Sequence, residues 1–409
     1  MKLSSLANAS ALGSAIERLV PTSLKACWVE SLCAFALLCW GLKSSNQNAR
    51  LLLSPRTLPS VKRGVERIDL ASLRIPNIVR NSYIQLGLLI LSSKLNPELE
   101  PTRRECLTLR HSGGDQVLLD WFLPSAVEGA VSKPNTPIVV YVPGITGRSR
   151  EAVSFVRTVL AKGWIAVVFH RRGHEDYLKR ASFNIFGSAR DLHVAIESIH
   201  ATSPGAPVAL VGSSAGSAVM VRYLGQYAEN AQVVAGVGLS PGYDIHGMWE
   251  DIRGTFFDRY LTSELKKFFL YRNKDLLFAR DAEAVRRLQA AESVQEFAQH
   301  AVVFAAEHHE NDDPDMVHTY DDWLEQTCPL RVANDIRVPT LCVNALDDPI
   351  CHRRMVETIG MKLPSSNEHC ALLVTNNGSH CAHMSWNGSR LENWGHRVAL
   401  EFIEGVTEL

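Results

Sequence analysis

Apolar and polar residues follow two different periods from about residue 105 to the end of the chain. Short apolar runs typical of buried strands lie at 137–142, 164–169, 207–211, 232–239, 338–344 and 370–375. Segments with apolar residues at helical spacing predict helices at 150–162, 188–201 and 215–228. Buried strands joined by helices indicate an α/β fold, with a mostly parallel sheet flanked by helices. The active site of such a sheet lies beyond the carboxyl ends of its strands.

The same pattern predicts how the chain is divided. Alternating residues at 106–123, on either side of Gly113 and Gly114, predict a β-hairpin at the start of one domain, 105–409. A charged, helix-prone insertion at about 243–335 is expected to form a lid. The aromatic-rich stretch within that insertion either packs the lid onto the core, or lines an acyl channel or touches a membrane. Residues 1–104 are predicted to be an N-terminal extension.

Three interpretations stay open for the apolar segment near 26–42: a membrane anchor, a helix packed on the domain, or a cleaved signal. Its uninterrupted part, 31–42, is shorter than the roughly 20 residues that a spanning helix needs, and Glu30 precedes it. The expectation is a membrane-associated protein, anchored through this segment as a single-pass span or an interfacial helix. More Lys and Arg residues follow the run than precede it, which favours a cytosolic catalytic domain if it spans.

Composition narrows the class of function. The chain has 409 residues, of which 46% are hydrophobic and 21% charged, with a formal net charge of −1. This balance gives no electrostatic reason to expect a nucleic-acid partner. The nine cysteines are scattered without a C-x-x-C pair, so reduced thiols are expected and no metal site.

The strongest chemical motif is GSSAG at 212–216, which follows the strand at 207–211 and opens the helix at 215–228. This is G-x-S-x-G in the strand-turn-helix context that a nucleophile elbow requires. Only Ser214 has glycine two residues away on both sides. Ser214 is therefore the predicted nucleophile.

A serine hydroxyl needs a base and an acid that orients the base, and this fold supplies them in the order Ser, Asp, His. His380 follows the last apolar strand and is the predicted base, with His383 as its rival. Asp347 and Asp348 both follow the strand at 338–344. Asp348 is favoured as the orienting acid, and Asp347 is interpreted as a loop cap.

The predicted oxyanion hole combines two backbone amides. The glycine-containing loop PGITG at 143–147 follows the strand at 137–142, where the second donor of this fold is expected. Ile145 is the expected donor from that loop, and Ala215, directly after the nucleophile, is the other.

Taken together, the chain from about residue 107 onwards resembles the α/β-hydrolase superfamily, and within it the AB hydrolase 4 family of YheT-like esterases and eukaryotic lipid-ester hydrolases. The residues that carry the resemblance are PGITGRS (143–149), VVFHRRG (167–173), the segment 187–227, VPTLCVNALDDP (338–349) and NGSHCAH (377–383). The resemblance implies Ser214, Asp348 and His380 as the catalytic triad. The sequence departs from the family at Pro143, at His170 and Arg171, and at NGSHCAH.

The expected function is cofactor-independent hydrolysis of carboxylic esters through an acyl-enzyme, and the family resemblance points to lipid substrates such as acylglycerols or medium-chain fatty acyl esters. Two alternatives stay open. An acyltransferase or ester synthase would use the same triad, and a non-catalytic scaffold could use the same fold.

Overall fold

The central strands are short runs of apolar residues because both faces of the sheet are covered by helices. The computed structural model describes residues 44–46, 49–95, 97–124, 135–305, 317 and 319–408, so the predicted membrane anchor near 26–42 lies outside the described residues. The strands are β1 (Ser44–Asn46), β2 (Ala49–Leu52), β3 (Arg74–Pro76), β4 (Arg103–Leu109), β5 (Asp115–Phe122), β6 (Ile138–Val142), β7 (Ile165–His170), β8 (Val208–Ser213), β9 (Ala235–Leu239), β10 (Thr340–Ala345), β11 (Cys370–Thr375), β12 (Met384–Trp386) and β13 (Leu391–Asn393).

The main sheet has nine strands in the order β2, β11, β10, β9, β8, β6, β7, β5 and β4. All neighbouring pairs from β7 across to β11 are parallel. β2 pairs antiparallel with β11 at one edge, and β5 pairs antiparallel with β7 and with β4 at the other. The predicted hairpin at 106–123 and the predicted mostly parallel sheet are both confirmed. Two small antiparallel pairs, β1 with β3 and β12 with β13, complete the strands of the described part.

Helices cover both faces of this sheet. The helices are α1 (Pro59–Glu66), α2 (Ser82–Leu95), α3 (Ser149–Ala161), α4 (Ala189–Thr202), α5 (Ala215–Tyr227), α6 (Ile245–Ile252), α7 (Phe256–Leu265), α8 (Lys274–Arg280), α9 (Ala282–Ala290), α10 (Val294–Ala305), α11 (Tyr320–Thr327), α12 (Arg353–Thr358), α13 (Leu363–Ser366) and α14 (Trp394–Thr407). A π-helical turn, Lys266–Tyr271, joins α7 to α8. The three helices predicted from spacing correspond to α3, α4 and α5.

Two hydrophobic cores lie on opposite faces of the sheet. Along β6, Ile138 and Val140 face one core, whereas Val139 and Tyr141 face the other, as the two-residue period of a strand requires. The first core includes α4, α5 and the helices of the insertion, and the second includes α1, α3 and α14. Apolar packing thus covers both faces of the sheet, which explains why the central strands β6, β8, β9 and β10 are mostly apolar.

The segment 49–95, predicted to belong to an N-terminal extension, contributes to the same architecture. Strand β2 extends the main sheet by pairing with β11, and α1 packs on α14, where Gly64 lies against the ring of Phe402. Helix α2 is fixed at its start, because the Met384 amide donates a 3.0 Å hydrogen bond to the Gln85 side chain. The division into extension and domain stays a prediction.

The insertion after β9 contains helices α6 to α11, and residues 306–316 and 318 within it lie outside the described residues. Its aromatic stretch has two kinds of residue. Phe269 is buried and stacks on Phe183 with ring centroids 4.8 Å apart. In contrast, Phe256 and Tyr271 are 64% and 53% exposed. The insertion is therefore packed on the core along only part of its aromatic surface.

No helix in the described part of the chain is both long and apolar enough to cross a bilayer.

Candidate active site

Ser214 lies in the sharp turn between β8 and α5. Its backbone has a φ of 52°, a conformation that residues other than glycine seldom adopt. A Cβ added to Gly216 would lie 2.0 Å from the carbonyl oxygen of Val142, and one added to Gly212 would lie 2.5 Å from the backbone of Ser217. The turn therefore requires glycine at both flanking positions. It leaves the Ser214 side chain half-buried, in the wall of a cavity.

The structure brings Ser214, His380 and Asp348 together from three separate loops. The Ser214 hydroxyl oxygen lies 2.7 Å from His380 Nε2, and His380 Nδ1 lies 2.8 Å from Asp348 Oδ2. The serine and the carboxylate thus contact opposite nitrogens of one imidazole. His380 and Asp348 are only 7% and 3% exposed, so this chain of hydrogen bonds is largely shielded from water.

The two adjacent aspartates have different partners. Asp348 also accepts hydrogen bonds from the Ile350 and Cys351 amides, both 2.8 Å, through its second oxygen. Asp347 accepts from the Gly378 and Ser379 amides at 2.9 and 2.8 Å. Burial raises the pKa of Asp347, against these hydrogen bonds, which favour its ionised form. Asp348 therefore bonds the imidazole of His380, whereas Asp347 bonds the backbone of the loop on which His380 lies.

Two opposing effects act on the protonation of His380. Burial opposes the charged imidazolium, but the nearby Asp348 carboxylate favours it, and the net direction is a pKa of His380 well above its ordinary value. The charge of Asp348 therefore decides the balance, and the imidazole binds a proton more tightly than a free histidine does.

The rival base His383 is fully buried and makes no hydrogen bond to Ser214 among the described residues. Burial lowers its pKa to about 4, and neither ring nitrogen has a hydrogen-bond partner in the described part of the chain. His383 is thus a neutral core residue, beside the ring of Trp394 at 6.4 Å.

The backbone around His380 is unusual as well. Ser379, Cys381 and His383 have φ values of 55°, 60° and 37°, and such conformations concentrate at functional sites. The Cys381 amide donates a 2.9 Å hydrogen bond to the side chain of Ser240, which itself has a φ of 50°. The loop is thereby held against the end of β9, next to the serine turn.

The predicted oxyanion loop, 143–147, is held from behind by a buried arginine. Arg171 donates hydrogen bonds from Nη2 to the carbonyl oxygens of Pro143, at 3.0 Å, and of Gly144. The side chain is 3% exposed, and burial lowers its pKa to about 9. Since a peptide unit is planar and trans, the Gly144 carbonyl and the Ile145 amide point in opposite directions. Arg171 therefore fixes the direction of the Ile145 N–H.

His174 holds the other end of the same loop, because its Nδ1 lies 3.0 Å from the Gly147 carbonyl oxygen. Its ring packs edge-on against Phe268 and Phe269, with centroids 4.8 and 5.6 Å away. Burial, together with the positive charge of Arg171, keeps the pKa of His174 well below its usual value. Ile145 and Ala215, the two predicted amide donors, both lie in the wall of the cavity that contains Ser214.

That cavity has a volume of about 290 Å³ and is almost entirely apolar. Its lining combines residues around Ser214 with residues of α2 and of the consecutive helices α6 and α7, which lie far from α2 in sequence. The wall residues are Leu86, Ile90 and Lys94 of α2, Ile245, Met248 and Trp249 of α6, and Phe256, Phe257, Tyr260 and Leu261 of α7. A hydrocarbon chain fits such a surface, because burying apolar area removes it from water.

Asp348, Cys351 and His380 form the one group in the described residues whose spacing would suit a metal ion, with ligand atoms all within 4.8 Å of one another. His380 already bonds Asp348 through Nδ1 and Ser214 through Nε2. Burial raises the pKa of the Cys351 thiol to about 11, so the sulfur is protonated at neutral pH and is a poor ligand.

Comparison with known proteins places the chain in a family. The family model described as serine aminopeptidase, S33 (Hydrolase_4) matches residues 133–385, more than half of the chain. The chain belongs to this family of α/β-hydrolases. The resemblance to the AB hydrolase 4 family and the expectation of a hydrolase are confirmed.

Three curated relatives of this hydrolase cover most of its length. Protein ABHD15 of Homo sapiens is 30% identical over 323 residues, which are 76% of this chain and 64% of ABHD15. Phospholipase ABHD3 of Mus musculus is 26% identical over 312 residues, 73% of this chain and 71% of ABHD3. Monoacylglycerol lipase ABHD2 of Mus musculus is 22% identical over 356 residues, 82% of this chain and 80% of ABHD2. The hydrolase thus spans just under two thirds of ABHD15.

A second serine–histidine–aspartate group lies behind the oxyanion loop of the hydrolase. Ser149 Oγ and His170 Nε2 lie 2.5 and 3.0 Å from the same oxygen of Asp120, and 2.9 Å from each other. Arg104 makes two further hydrogen bonds to the Asp120 carboxylate, at 2.6 and 2.7 Å. His170, a departure from the family pattern, thus belongs to a polar group in which Ser149, His170 and Asp120 are buried.

The sequence patterns did not predict that Arg171 and His174 hold the loop 143–147, or that residues of α2 line the cavity. The signal for α2 was present, because residues 83–91 are apolar on every side of a helix rather than on one. For Arg171 no local signal exists, since its partners lie 27 and 28 residues earlier in the chain. The neighbouring Arg172 makes two hydrogen bonds to the Asp191 carboxylate, at 2.8 and 2.7 Å.

Proposed function

We propose that this hydrolase cleaves lipid carboxylic esters through an acyl-enzyme formed on Ser214, with His380 as general base and Asp348 as the orienting acid. The observation that carries the proposal is the hydrogen-bonded series Ser214, His380, Asp348 at the floor of an apolar cavity. Ser214 and Asp348 bond opposite nitrogens of one imidazole, which is the arrangement that general-base catalysis by an oriented histidine needs.

The proposed reaction begins with neutral His380. Its Nδ1–H donates to Asp348, which leaves the Nε2 lone pair to accept the Ser214 hydroxyl proton. The Ser214 oxygen bonds to the ester carbonyl carbon as the carbonyl π electrons move to the oxygen. The intermediate then collapses, His380 gives its proton to the departing alcohol, and the acyl group stays on Ser214. Water repeats the sequence, so the products are the acid and free Ser214.

The negative oxygen of each tetrahedral intermediate needs donors that are already in position. The Ile145 and Ala215 amides are proposed for this role. Support comes from the cavity wall that both residues share with Ser214, and from the contact of Arg171 with the Gly144 carbonyl. Because those donors are fixed by the fold, little reorganisation is needed when charge develops.

Two observations support a lipid substrate. The cavity of about 290 Å³ has a predominantly apolar lining. The relatives ABHD3 and ABHD2 are named phospholipase and monoacylglycerol lipase. An acyl chain in the cavity would bring its ester carbonyl to Ser214. Membrane association through the segment 26–42 is part of the proposal, and it suits a substrate of this kind.

Labelling with a fluorescent fluorophosphonate tests the proposal, since the reagent phosphonylates activated serines. We expect the wild-type protein and the Ser149→Ala control to label, and Ser214→Ala and His380→Ala to stay unlabelled. Hydrolysis of a panel of acylglycerols and phospholipids by wild type and Ser214→Ala then tests the substrate class. A correctly folded wild-type protein that neither labels nor hydrolyses any ester would favour the scaffold interpretation.

A further inference from the structure

Helix α2 is apolar on two faces, and only one of them packs against the protein. Leu86 and Ile90 point into the cavity wall. On the other face, Ile84, Leu91 and Leu95 are 46%, 49% and 71% exposed. A surface helix of a globular protein ordinarily carries polar residues on its outer face, so the outer face of α2 requires a partner other than water.

Helix α7 continues this exposed apolar surface across the mouth of the cavity. Phe256 and Tyr260 are 64% and 37% exposed, and their rings stack at 6.0 Å. Phe257 stacks at 5.7 Å on Tyr83 of α2, itself 62% exposed, which joins the two helices. Phe256 and Tyr260 also line the cavity. We call the exposed set the rim: Tyr83, Ile84, Leu91, Leu95, Phe256 and Tyr260.

We propose that the rim docks onto an anionic lipid surface, so that the cavity opens into the layer of acyl chains. Phe256 and Tyr260 both line the cavity and are exposed, so the apolar lining of the cavity reaches the rim at α7. A lipid leaving the layer would therefore keep its acyl chain in contact with hydrocarbon along the whole path to Ser214. The inference rests on the proposed function in taking the cavity as the acyl site.

The charge at the mouth fits anionic headgroups. Lys94 is exposed on the last turn of α2 and also lines the cavity. Helix α2 carries no acidic residue, so no carboxylate on this helix opposes the approach of a negative surface. A lysine next to an inserted apolar face is the usual arrangement of an interfacial helix, with the stem in the lipid and the ammonium among the headgroups.

The path of the chain from the N-terminal apolar run to α2 also supports docking of the rim on a membrane. The apolar run of the sequence ends at residue 42, and β1 follows at once, pairing with β3 so that Ser44 is opposite Pro76. Pro76 precedes the first residue of α2, Ser82, by six positions. If the run binds a membrane as predicted, the fold is attached to that membrane through the segment that leads into the rim.

Helix α2 is independently held to the loop of His380, because the Ser379 hydroxyl donates a 2.7 Å hydrogen bond to the Ser82 carbonyl. Leu91 and Ile84 do not line the cavity. Charged substitutions at these two positions should therefore impair docking while leaving the cavity and His380 in place.

Vesicle co-sedimentation tests docking separately from catalysis. The full chain carrying Ser214→Ala is mixed with vesicles of phosphatidylcholine and phosphatidylglycerol, with Leu91→Glu or Ile84→Glu added. Phe278→Glu is the matched control, because Phe278 of α8 is 44% exposed but does not line the cavity. We expect Leu91→Glu to lower vesicle binding by about tenfold or more, with Phe278→Glu unchanged. Lys94→Gln should lower binding by a few-fold, and only when phosphatidylglycerol is present.

Equal vesicle binding by the Leu91→Glu and Phe278→Glu proteins would overturn the inference. A fall of several degrees in Tm for Leu91→Glu, absent in Phe278→Glu, would also contradict it, because the face would then be covered within the protein or by a second copy. A water-soluble short-chain ester, assayed with Ser214 intact, reports on the proposed function alone. Its hydrolysis should be equal in the wild-type, Leu91→Glu and Phe278→Glu proteins, and no turnover by any of them would count against the proposed function but not against docking.

Discussion

The groups Ser214–His380–Asp348 and Ser149–His170–Asp120 contain the same three side chains but use the imidazole differently. In the first, the serine and the carboxylate contact opposite ring nitrogens. In the second, both contact Nε2, and the serine hydroxyl also reaches the carboxylate directly. The Ser149 proton therefore has a carboxylate to bind, and Nε2 is already engaged.

The two groups also differ in their burial and in the hydrogen-bond partners of their aspartates. Ser214 lines a cavity, whereas His170 and Asp120 are fully buried and Ser149 is 9% exposed. Arg104 binds Asp120 through two hydrogen bonds, but within the described residues the hydrogen-bond partners of Asp348 are two backbone amides and His380. The comparison teaches that the same residue types stabilise a fold or support chemistry according to which nitrogen is engaged and whether substrate can enter.

The serine pair should show the largest difference. We expect Ser214→Ala to lower kcat for ester hydrolysis on the order of 10⁴-fold to 10⁶-fold, because the variant loses the hydroxyl that hydrogen-bonds His380 Nε2. Ser149→Ala should keep most of the activity but lose about 1–3 kcal/mol of unfolding free energy, since Asp120 and His170 lose a buried partner. Steady-state kinetics and urea unfolding measure the two effects. Similar values of kcat for Ser214→Ala and Ser149→Ala would contradict the assignment of different roles to the two groups.

The aspartate pair is the next test. Asp348→Asn should lower kcat by about 10⁴-fold, because the amide holds the imidazole in the wrong tautomer. Asp120→Asn should chiefly lower the Tm. Burial raises the pKa of Asp120, but the hydrogen bonds from Arg104 and His170 outweigh it and lower that pKa. The ionised carboxylate therefore stabilises the fold above its unfolded pKa and loses this effect as the pH falls. The Tm difference from wild type should shrink in acid, and a constant difference would contradict this account.

Arg171 sharpens the comparison, because it lies behind the oxyanion loop without touching either serine. Arg171→Met should lower kcat by roughly 10-fold to 100-fold with a smaller change in KM, since the Ile145 amide loses its fixed direction. Affinity for a trifluoromethyl ketone, which mimics the tetrahedral intermediate, should fall in parallel with kcat/KM. A rise in KM with kcat unchanged, and an unchanged affinity for the ketone, would show that the loop acts only in substrate binding.

The smallest expected effect is a shift of the pH profile. Burial opposes protonation of His380, but the Asp348 carboxylate raises its pKa well above the ordinary value. Only the neutral imidazole can accept a proton, so activity should rise with pH through that pKa. In the residual activity of Asp348→Asn, this rise should move to lower pH, because the negative charge is gone. His170→Gln is the control and should leave the profile in place.

The features that could be predicted from the sequence are those that depend on residues close together in the chain. The turn at Ser214 depends on two glycines within five residues, between a strand and a helix, so the motif could be read directly. The bounds predicted for the last apolar strand, 370–375, agree with β11. In contrast, Asp347 and Asp348 are neighbours with the same chemistry, and only the positions of the Gly378 amide and of His380 separate their roles.

Features that depend on distant contacts could not be read from the chain. Arg171 appears in the sequence as a departure from the family pattern, but its partners are carbonyl groups of another loop. Helix α2 lies in a segment without alternating strands and helices, and its place in the cavity wall results from tertiary packing. The fold class was predictable from periodicity, whereas the wall and the support of the site were not.

The most direct test of the central claim is to trap the acyl-enzyme and locate it. The protein would be mixed with a p-nitrophenyl ester, quenched in acid and digested, and the acylated peptide identified by mass spectrometry. The account predicts acylation on the peptide that contains Ser214, with none on the peptide that contains Ser149, and loss of the adduct in Ser214→Ala. An adduct on another residue, or turnover without an adduct on Ser214, would contradict it.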